Sequence, residues 1–115
     1  MKKDAIVYLR HIVDAIERLD GYLKGVDSEV FLASNLIRAG VIRELEIIGE
    51  AAKQVGEDFK KAHPDIPWKK MAGMRDKLIH HYLGVDYDAV WETVVKDLPG
   101  LKLKLAGIIQ NSKGS

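Results

Sequence analysis

The sequence predicts an all-α fold, an up-and-down bundle of four to five helices. Apolar residues recur at steps of three and four along most of the 115 residues, which is the spacing of a helix face. No segment alternates apolar and polar residues for long enough to predict a strand, and no unit of the chain repeats. Because the connections between the predicted helices are short, we expect successive helices to pack antiparallel.

The composition is that of one globular domain, expected over residues 1–110 with a frayed tail at 111–115. With 47% hydrophobic residues, 30% charged residues and a net charge of +1, the chain does not have the composition of a disordered protein. It has no cysteine, which excludes disulfides, thiolate zinc sites and cysteine nucleophiles. Arg10 and Asp14 interrupt the first apolar run, so we expect no signal peptide, and charges recur every few positions along the rest of the chain, so we expect no membrane span and a cytoplasmic protein.

The first predicted helix covers about residues 5–24. Asp4 is placed as its N-cap and Gly25 as its C-terminal stop. Its apolar face consists of residues spaced three and four apart: Ala5, Tyr8, Leu9, Ile12, Val13, Ile16, Leu19 and Leu23. We expect a short helical turn to follow, capped by Asp27 and Ser28.

The second predicted helix, from Asn35 to Val55 with Ser34 as its cap, is apolar on more than one side. A helix of this kind packs on two sides, so we expect it at the centre of the bundle, against a second subunit, or both. Its small residues at 49–52 allow another helix to approach closely. Glu50 stands among apolar neighbours and is expected to reach solvent or a cationic partner.

The next helix is predicted to follow residues 57–66, which are expected to form a short helical turn that breaks into a loop. Pro67 suits the first position of a helix, and Asp65 stands near it as a cap. This helix is predicted to run to about Leu83, with a kink at Gly73.

Two further helices are predicted towards the C-terminus. Asp86 caps the first, whose apolar residues are Tyr87, Val90, Trp91, Val94, Val95 and Leu98. Pro99 opens the second, whose buried face holds Leu101, Leu105, Ile108 and Ile109.

Positive charge is concentrated between residues 60 and 81. This window has four more basic than acidic residues, and it holds three of the four histidines, His63, His80 and His81. A basic strip on a near-neutral protein is typical of a phosphate or anion site. The same lysines would also serve as the solvated face of one helix, and the charge count does not separate the two interpretations.

Residues 75–82 bring an arginine, a histidine and a tyrosine together. The guanidinium of Arg75 matches phosphate oxygens, and the imidazole of His80 titrates near neutral pH. These two groups suffice for metal-free RNA cleavage by the ribose 2′-hydroxyl, with histidine moving protons and arginine neutralising charge. On a regular helix Arg75 and Tyr82 share a face, whereas His80 lies roughly 140° from Arg75. Either the helix is irregular there, or the site combines groups from two chains.

The spacing of these residues is not specific by itself. An arginine and a histidine on a helix are more often a surface cation and a partly buried ring. Tyr82 is typical of a core aromatic with its hydroxyl at the rim, and His81 is expected to be exposed. Asp76, four residues before His80, would meet the imidazole on a regular helix and orient it.

The segment from Arg75 to Tyr82 resembles the RxxxxHxY motif of HEPN domains, in particular of the small HepT toxin type. The surrounding segments resemble that family as well: IIGEAAK at 47–53, HPDIPWKKMAGMRD at 63–76 and YLGVDYDAVWETV at 82–94. The resemblance covers nearly the whole chain in order. It implies a helical bundle that dimerises through its central helices, so that the two motifs face one another.

The resemblance also implies the toxin of a type VII toxin–antitoxin system, a ribonuclease that works without metal. Arg75 and His80 would be its catalytic pair, with Asp76 in a supporting role. Its antitoxin would be a minimal nucleotidyltransferase that transfers AMP onto Tyr82. This modification would place a bulky, negatively charged group beside the phosphate site.

Lys69, Lys70 and Lys77 are candidates for contacts to RNA phosphates, with transfer RNA as one candidate substrate. Because no histidine has a recognised metal-ligand spacing and no glycine-rich phosphate loop is present, we expect neither a metal nor a cofactor. Two other hypotheses stay open. One is a non-catalytic HEPN partner or substrate-binding subunit of a nucleotidyltransferase, and the other is a purely structural helical dimer.

Overall fold

The computed structural model describes residues 2–74, 79–80 and 84–113. Its helices are α1 (Lys2–Tyr22), α2 (Ser28–Ala33), α3 (Asn35–Gln54), α4 (Glu57–Ala62), α5 (Trp68–Ala72), α6 (Tyr87–Glu92) and α7 (Leu98–Lys113), with a π-helical segment at Thr93–Asp97. Two short strands, β1 (Ile79–His80) and β2 (Gly84–Val85), pair antiparallel. The predicted all-α fold class is confirmed. In the part of the chain described, no helix is both long and apolar enough to cross a membrane.

The core lies between α1 and α3, and α7 packs against α1 beside it. The largest side chains that these helices bury completely are Leu9, Ile12, Ile16, Leu19, Val41, Leu45, Ile48, Leu98 and Leu105. Helix α1 begins at Lys2, so the predicted cap Asp4 lies inside the first turn instead. A carboxylate in that turn favours the helix through the helix dipole rather than through a cap hydrogen bond. Gly25, the predicted stop, follows α1 with a φ of +73°.

Three of the predicted N-caps are confirmed. In each, a side-chain oxygen accepts a hydrogen bond from the backbone N–H three residues on: Asp27 at 2.9 Å, Ser34 at 3.1 Å and Asp86 at 3.1 Å. The predicted cap Asp65 is wrong. Pro67 occupies the position directly before α5, and no side chain caps that helix. Asp65 stands two residues too early to reach the first free N–H groups.

Helix α3 packs on two sides, as predicted, with α1 on one side and α5 on the other. A Cβ atom at Gly49 would lie 3.3 Å from the carbonyl oxygen of Met71 and 3.5 Å from that of Ala72. The backbones of α3 and α5 are therefore as close as a glycine allows, where the run of small residues predicts a close approach. Glu50 is exposed, in agreement with the first of its two expected environments.

The helix predicted to continue past Gly73 is wrong at Ile79 and His80, which form β1. Ile79 pairs with Val85, and His80 pairs with Gly84. Both members of the Ile79–Val85 pair are β-branched residue types, which favour extended backbone. Gly84 has a φ of +84°, a conformation that glycine adopts without strain and that ends a helical path.

Helices α6 and α7 are joined by the π-helical segment instead of being separated at Pro99. The N–H of Leu98 donates to the carbonyl of Thr93, five residues back. Pro99 explains this wider turn, because proline has no N–H for the carbonyl of Val95 and its ring would collide with that carbonyl in a regular helix. Helix α7 then continues through residues 111–113.

Candidate active site

The structure describes three of the residues predicted for the site. Lys69 and Lys70 are exposed on α5. The backbone of His80 lies in β1, paired with Gly84. The other predicted positions lie outside the described residues: Arg75, Asp76, Lys77 and Tyr82.

Helix α5, which leads into the motif, is fixed to the core although it is only five residues long. Trp68 and Met71 are buried, and the indole Nε1 of Trp68 donates to the carbonyl of His63 at 2.9 Å. The ring of Phe59 packs against Trp68 with 6.1 Å between centroids. Together with the close approach to α3, these contacts give the chain a defined position as far as the buried Met74.

The chain that leaves the motif is fixed by β2 and α6. Asp86 caps α6 directly after β2. The rings of Tyr87 and Trp91 then pack on the fully buried ring of Phe31, with centroids 6.3 Å and 5.3 Å apart. The motif is thus anchored to the core on both sides along the chain.

A groove of about 340 Å³ opens where α5 meets the π-helical segment and the start of α7. Its floor is apolar and consists of Met71, Met74, Leu98 and Leu101. Its rim carries three lysines and one carboxylate, namely Lys70, Lys96, Lys104 and Asp97. We call this feature the lysine-rimmed groove.

The three rim lysines differ in their partners. Lys96 pairs with Glu92 at 2.6 Å, and this carboxylate raises the pKa of Lys96. The Nζ of Lys104 donates to the carbonyl of Asp65 at 3.3 Å, which holds the ammonium without neutralising it. Within the described ranges, neither Lys70 nor Lys104 lies within ion-pair distance of a carboxylate. Both therefore leave positive charge at the mouth of the groove.

Sequence reasoning missed a buried carboxylate, that of Glu44, which is 3% exposed between α1 and α3. It accepts hydrogen bonds from the Nε of Arg18 and from the phenol of Tyr22, both at 2.9 Å. These bonds to the carboxylate are the main reason why the pKa of Arg18 and the pKa of Tyr22 are raised. The available signal was the neighbour of Glu44, since Leu45 and its apolar stripe turn this position towards α1.

The two described histidines outside the motif each pack against an aromatic ring. His11 lies edge-on to Tyr8 with 6.2 Å between ring centroids, and His63 packs on Phe59 at 4.5 Å. Across residues 2–74 and 84–113, no three His, Asp or Glu side chains come close enough together to share a metal ion.

Residues 12–108 match the family model described as ribonuclease HepT-like. The chain belongs to the HepT-like ribonuclease family. A protein of Thermococcus cleftensis named as a probable ribonuclease HepT is 49% identical over 104 residues, covering 90% of this chain and 94% of the relative. A protein of Caldanaerobacter subterraneus that carries an RNase name is 43% identical over 106 residues, 92% of this chain and 95% of that one. A protein of Methanocaldococcus jannaschii that also carries an RNase name is 40% identical over 113 residues, covering 98% of this chain and 93% of that protein.

No solved structure matches this chain. The HepT-like match confirms the resemblance to HepT-type HEPN proteins that the motif and its flanking segments predict. The matched residues include α5, both strands, α6 and the whole lining of the lysine-rimmed groove.

Proposed function

We propose that this chain is a metal-independent endoribonuclease, the toxin of a type VII toxin–antitoxin system in the cytoplasm. The observation that carries the proposal is membership of the HepT-like family over residues 12–108 with Arg75, His80 and Tyr82 all present at their motif positions. The RNase names of the relatives support the same reaction class.

The proposed reaction needs one group that transfers protons and one fixed cation. The neutral imidazole of His80 takes the proton from a ribose 2′-hydroxyl, and that oxygen attacks the adjacent phosphorus. The guanidinium of Arg75 stabilises the phosphorane, whose charge is greater than that of the diester. The bond from phosphorus to the 5′ oxygen breaks, and an imidazolium protonates the leaving oxygen. The products end in a 2′,3′-cyclic phosphate and a 5′-hydroxyl.

Asp76 has a supporting role in this proposal. The regular helix on which a contact with His80 was expected does not extend to His80, which lies in β1. In our proposal Asp76 acts on the imidazole through its negative charge. Lys69 and Lys70, exposed on α5, support the proposed phosphate contacts, and Lys77 is proposed from its place in the motif.

The proposal includes two protein partners, a second copy of the chain and a nucleotidyltransferase antitoxin. Two large apolar side chains are strongly exposed in the single chain, Leu36 by 84% and Leu103 by 75%, and association with a second copy would cover apolar surface of this kind. The antitoxin would transfer AMP onto Tyr82. The added phosphate would compete with RNA for Arg75, which explains how one modification silences the site.

The test is cleavage of total cellular RNA, or of transfer RNA, by the purified chain in excess chelator. We expect products with 2′,3′-cyclic phosphate ends from the unmodified protein and none from His80→Ala. His11→Ala is the matched control, because His11 is an exposed histidine on α1 and should leave cleavage unchanged. Mass spectrometry confirms beforehand that Tyr82 carries no AMP.

Absence of cleavage by the unmodified chain would contradict the proposal. It would favour the alternative in which Arg75 and Tyr82 belong to a docking surface for a nucleotidyltransferase. Cleavage that is equal in wild type and His80→Ala would remove His80 from the mechanism.

A further inference from the structure

The floor of the lysine-rimmed groove suits a planar aromatic ligand. Met71, Met74, Leu98 and Leu101 form it, and each is at most 7% exposed, so the surface is fixed by the core beneath it. Thioether sulfurs contact aromatic rings favourably. The volume of about 340 Å³ is at the lower end of the range for ligand pockets, which extends from about 300 to 1,000 Å³. A single base fits this description better than a protein helix.

The rim of the groove is positive overall, because its three lysines outnumber the carboxylate of Asp97 and that of Glu92, the partner of Lys96. Lys70 and Lys104 carry positive charge that no described carboxylate neutralises. Lys104 is also held in place, because its Nζ donates to the carbonyl of Asp65. An apolar floor beneath two such ammonium groups complements a ligand with an aromatic ring on one side and phosphates on the other.

The groove adjoins the catalytic motif in the sequence. Met74, part of the floor, is bonded directly to Arg75. The π-helical segment supplies the opposite wall through Thr93, Lys96 and Asp97. Such irregular turns within helices are frequently found at functional sites.

We propose that the lysine-rimmed groove binds one unpaired nucleotide of the RNA, a neighbour of the phosphate that is cleaved. Its base lies on the methionine and leucine floor, and its phosphates contact Lys70 and Lys104. This inference rests on the proposed ribonuclease function and adds a substrate subsite to it. The nucleotide must be unpaired because a base stacked inside a duplex cannot enter the groove. The four floor side chains offer no hydrogen-bond donors and only weak sulfur acceptors, so the floor does not distinguish one base from another.

Binding can be followed separately from cleavage with an adenosine hexamer in which every ribose is 2′-O-methylated. This ligand lacks the attacking hydroxyl, so it reports binding even if the chain has no nuclease activity. The chain has three methionines, and two of them, Met71 and Met74, lie in the groove. With carbon-13 in the methionine methyl groups, we expect ring-current shifts at Met71 and Met74. Inorganic phosphate, which has no ring, should not produce them.

Two glycines of α7 provide a matched pair of variants. A Cβ atom at either Gly100 or Gly107 would meet nothing within 4 Å, so a side chain can leave the helix at both positions, and thermal unfolding of each variant verifies that the fold is kept. Gly100 lines the groove, whereas Gly107 lies two helical turns further on the same face of the helix and does not. We expect Gly100→Leu to weaken binding of the hexamer by about tenfold or more, the effect of losing one stacked base. Gly107→Leu should bind as the wild type does.

Equal affinity of Gly100→Leu and Gly107→Leu for the hexamer would overturn the subsite. So would methyl shifts that phosphate alone reproduces. If Gly100→Leu changed the oligomeric mass while the hexamer left Met71 and Met74 unshifted, the groove would be a contact between copies of the chain, and the proposal would be wrong. Binding without any cleavage would leave the subsite standing and contradict the ribonuclease instead.

Discussion

Glu44 is the charged residue buried in the described core, and its carboxylate depends on hydrogen-bond donors from α1. Its side chain is 4% exposed, whereas that of Arg18 is 45% exposed. Removal of the arginine therefore strands a charge inside the protein, while removal of the carboxylate leaves a cation that still reaches water. The two sides of this ion pair are unequal for that reason.

We expect Arg18→Met to lower the free energy of unfolding by about 2–3 kcal/mol, because one of the donors to a buried carboxylate is lost. Glu44→Leu should cost less, and the double variant should recover much of the loss caused by Arg18→Met. Urea unfolding of both single variants and of the double variant measures these differences. If Glu44→Leu lowered the free energy of unfolding more than Arg18→Met does, burial of the unpaired carboxylate would not be the main cost of losing Arg18.

Tyr22 makes this network sensitive to alkaline pH. Its hydrogen bond to Glu44 raises the pKa of the phenol above its ordinary value of about 10. A raised pKa means that the neutral phenol stabilises the fold at lower pH, and that this contribution disappears as pH rises through the folded pKa. The difference in stability between wild type and Tyr22→Phe should therefore be constant from about pH 7 to 9 and shrink above about pH 10. Unfolding curves across this range test it, and a difference that grows with alkalinity would be the contrary result.

Tyr82 is the residue through which the proposed antitoxin acts. Tyr82→Phe removes the oxygen that would receive AMP but leaves Arg75 and His80 in place, so the variant should cleave RNA and escape inhibition. Incubation with the nucleotidyltransferase and ATP, followed by mass spectrometry and a cleavage assay, measures both effects. Tyr87→Phe is the control, since Tyr87 packs on Phe31. Equal AMP transfer to Tyr82→Phe and wild type would assign the modification elsewhere.

Sequence alone predicts residues that act over short stretches of chain. Asp27, Ser34 and Asp86 were predictable as caps because each bonds three residues ahead. The pairing of Arg18 with Glu44 spans 26 residues and depends on how α1 and α3 are aligned. No local pattern contains that alignment, so sequence reasoning singled out the exposed Glu50 and missed both Glu44 and its partners.

At the level of elements, the closest contact is the one between α3 and α5. The Cβ of a larger residue at Gly49 would lie tightly against the carbonyl of Met71, which belongs to the backbone and cannot rotate away, and in ordinary contact with that of Ala72. We expect Gly49→Val to cost about 1–3 kcal/mol of stability, and RNA cleavage to fall as well because α5 leads into the motif. Gly21→Val is the matched control. A Cβ at Gly21 meets nothing within 4 Å, so the change should stay within about 1 kcal/mol.

Thermal unfolding and the cleavage assay, applied to both glycine variants, decide this point. Similar losses for Gly49→Val and Gly21→Val would mean that helix propensity, and not the contact between the two backbones, sets the cost.

Two elements departed from the sequence prediction for identifiable reasons. The strands β1 and β2 are two residues each, too short for an alternating pattern to be visible. Pro99 was correctly placed at a helix start, but a separate helix was expected where the chain relieves the clash with a π-helical turn. In both places a local feature, Gly84 with a positive φ in one and the ring of Pro99 in the other, redirects the chain in a way that apolar periodicity does not show.

The whole molecule is a slab of 46 × 31 × 19 Å. Its thinnest dimension equals about two helix diameters, since one helix with its side chains is about 10 Å across. The two broad faces offer more area than the edges do, so we expect the proposed homodimer to form through one of them.

If each site combines Arg75 of one chain with His80 of the other, two inactive variants should complement one another. Arg75→Ala and His80→Ala are each expected to be inactive, while subunits unfolded together and refolded as a mixture should regain about a quarter of wild-type cleavage, because half of the dimers are mixed and each has one intact site. Mixed dimers are verified by native mass spectrometry. No recovery in verified mixed dimers would place Arg75 and His80 of one site on the same chain.

The contact at Gly49 also constrains how this sequence can diverge over evolutionary time. A crowded side chain can be accommodated by trimming its neighbour, but a carbonyl oxygen is common to every amino acid. A substitution in α5 therefore cannot remove this oxygen, and a larger residue at position 49 requires the two backbones to move slightly apart. Substitution is open at Gly21, where a side chain would enter solvent, and restricted at Gly49, so comparison of many HepT-like sequences should show glycine retained more often at position 49 than at position 21.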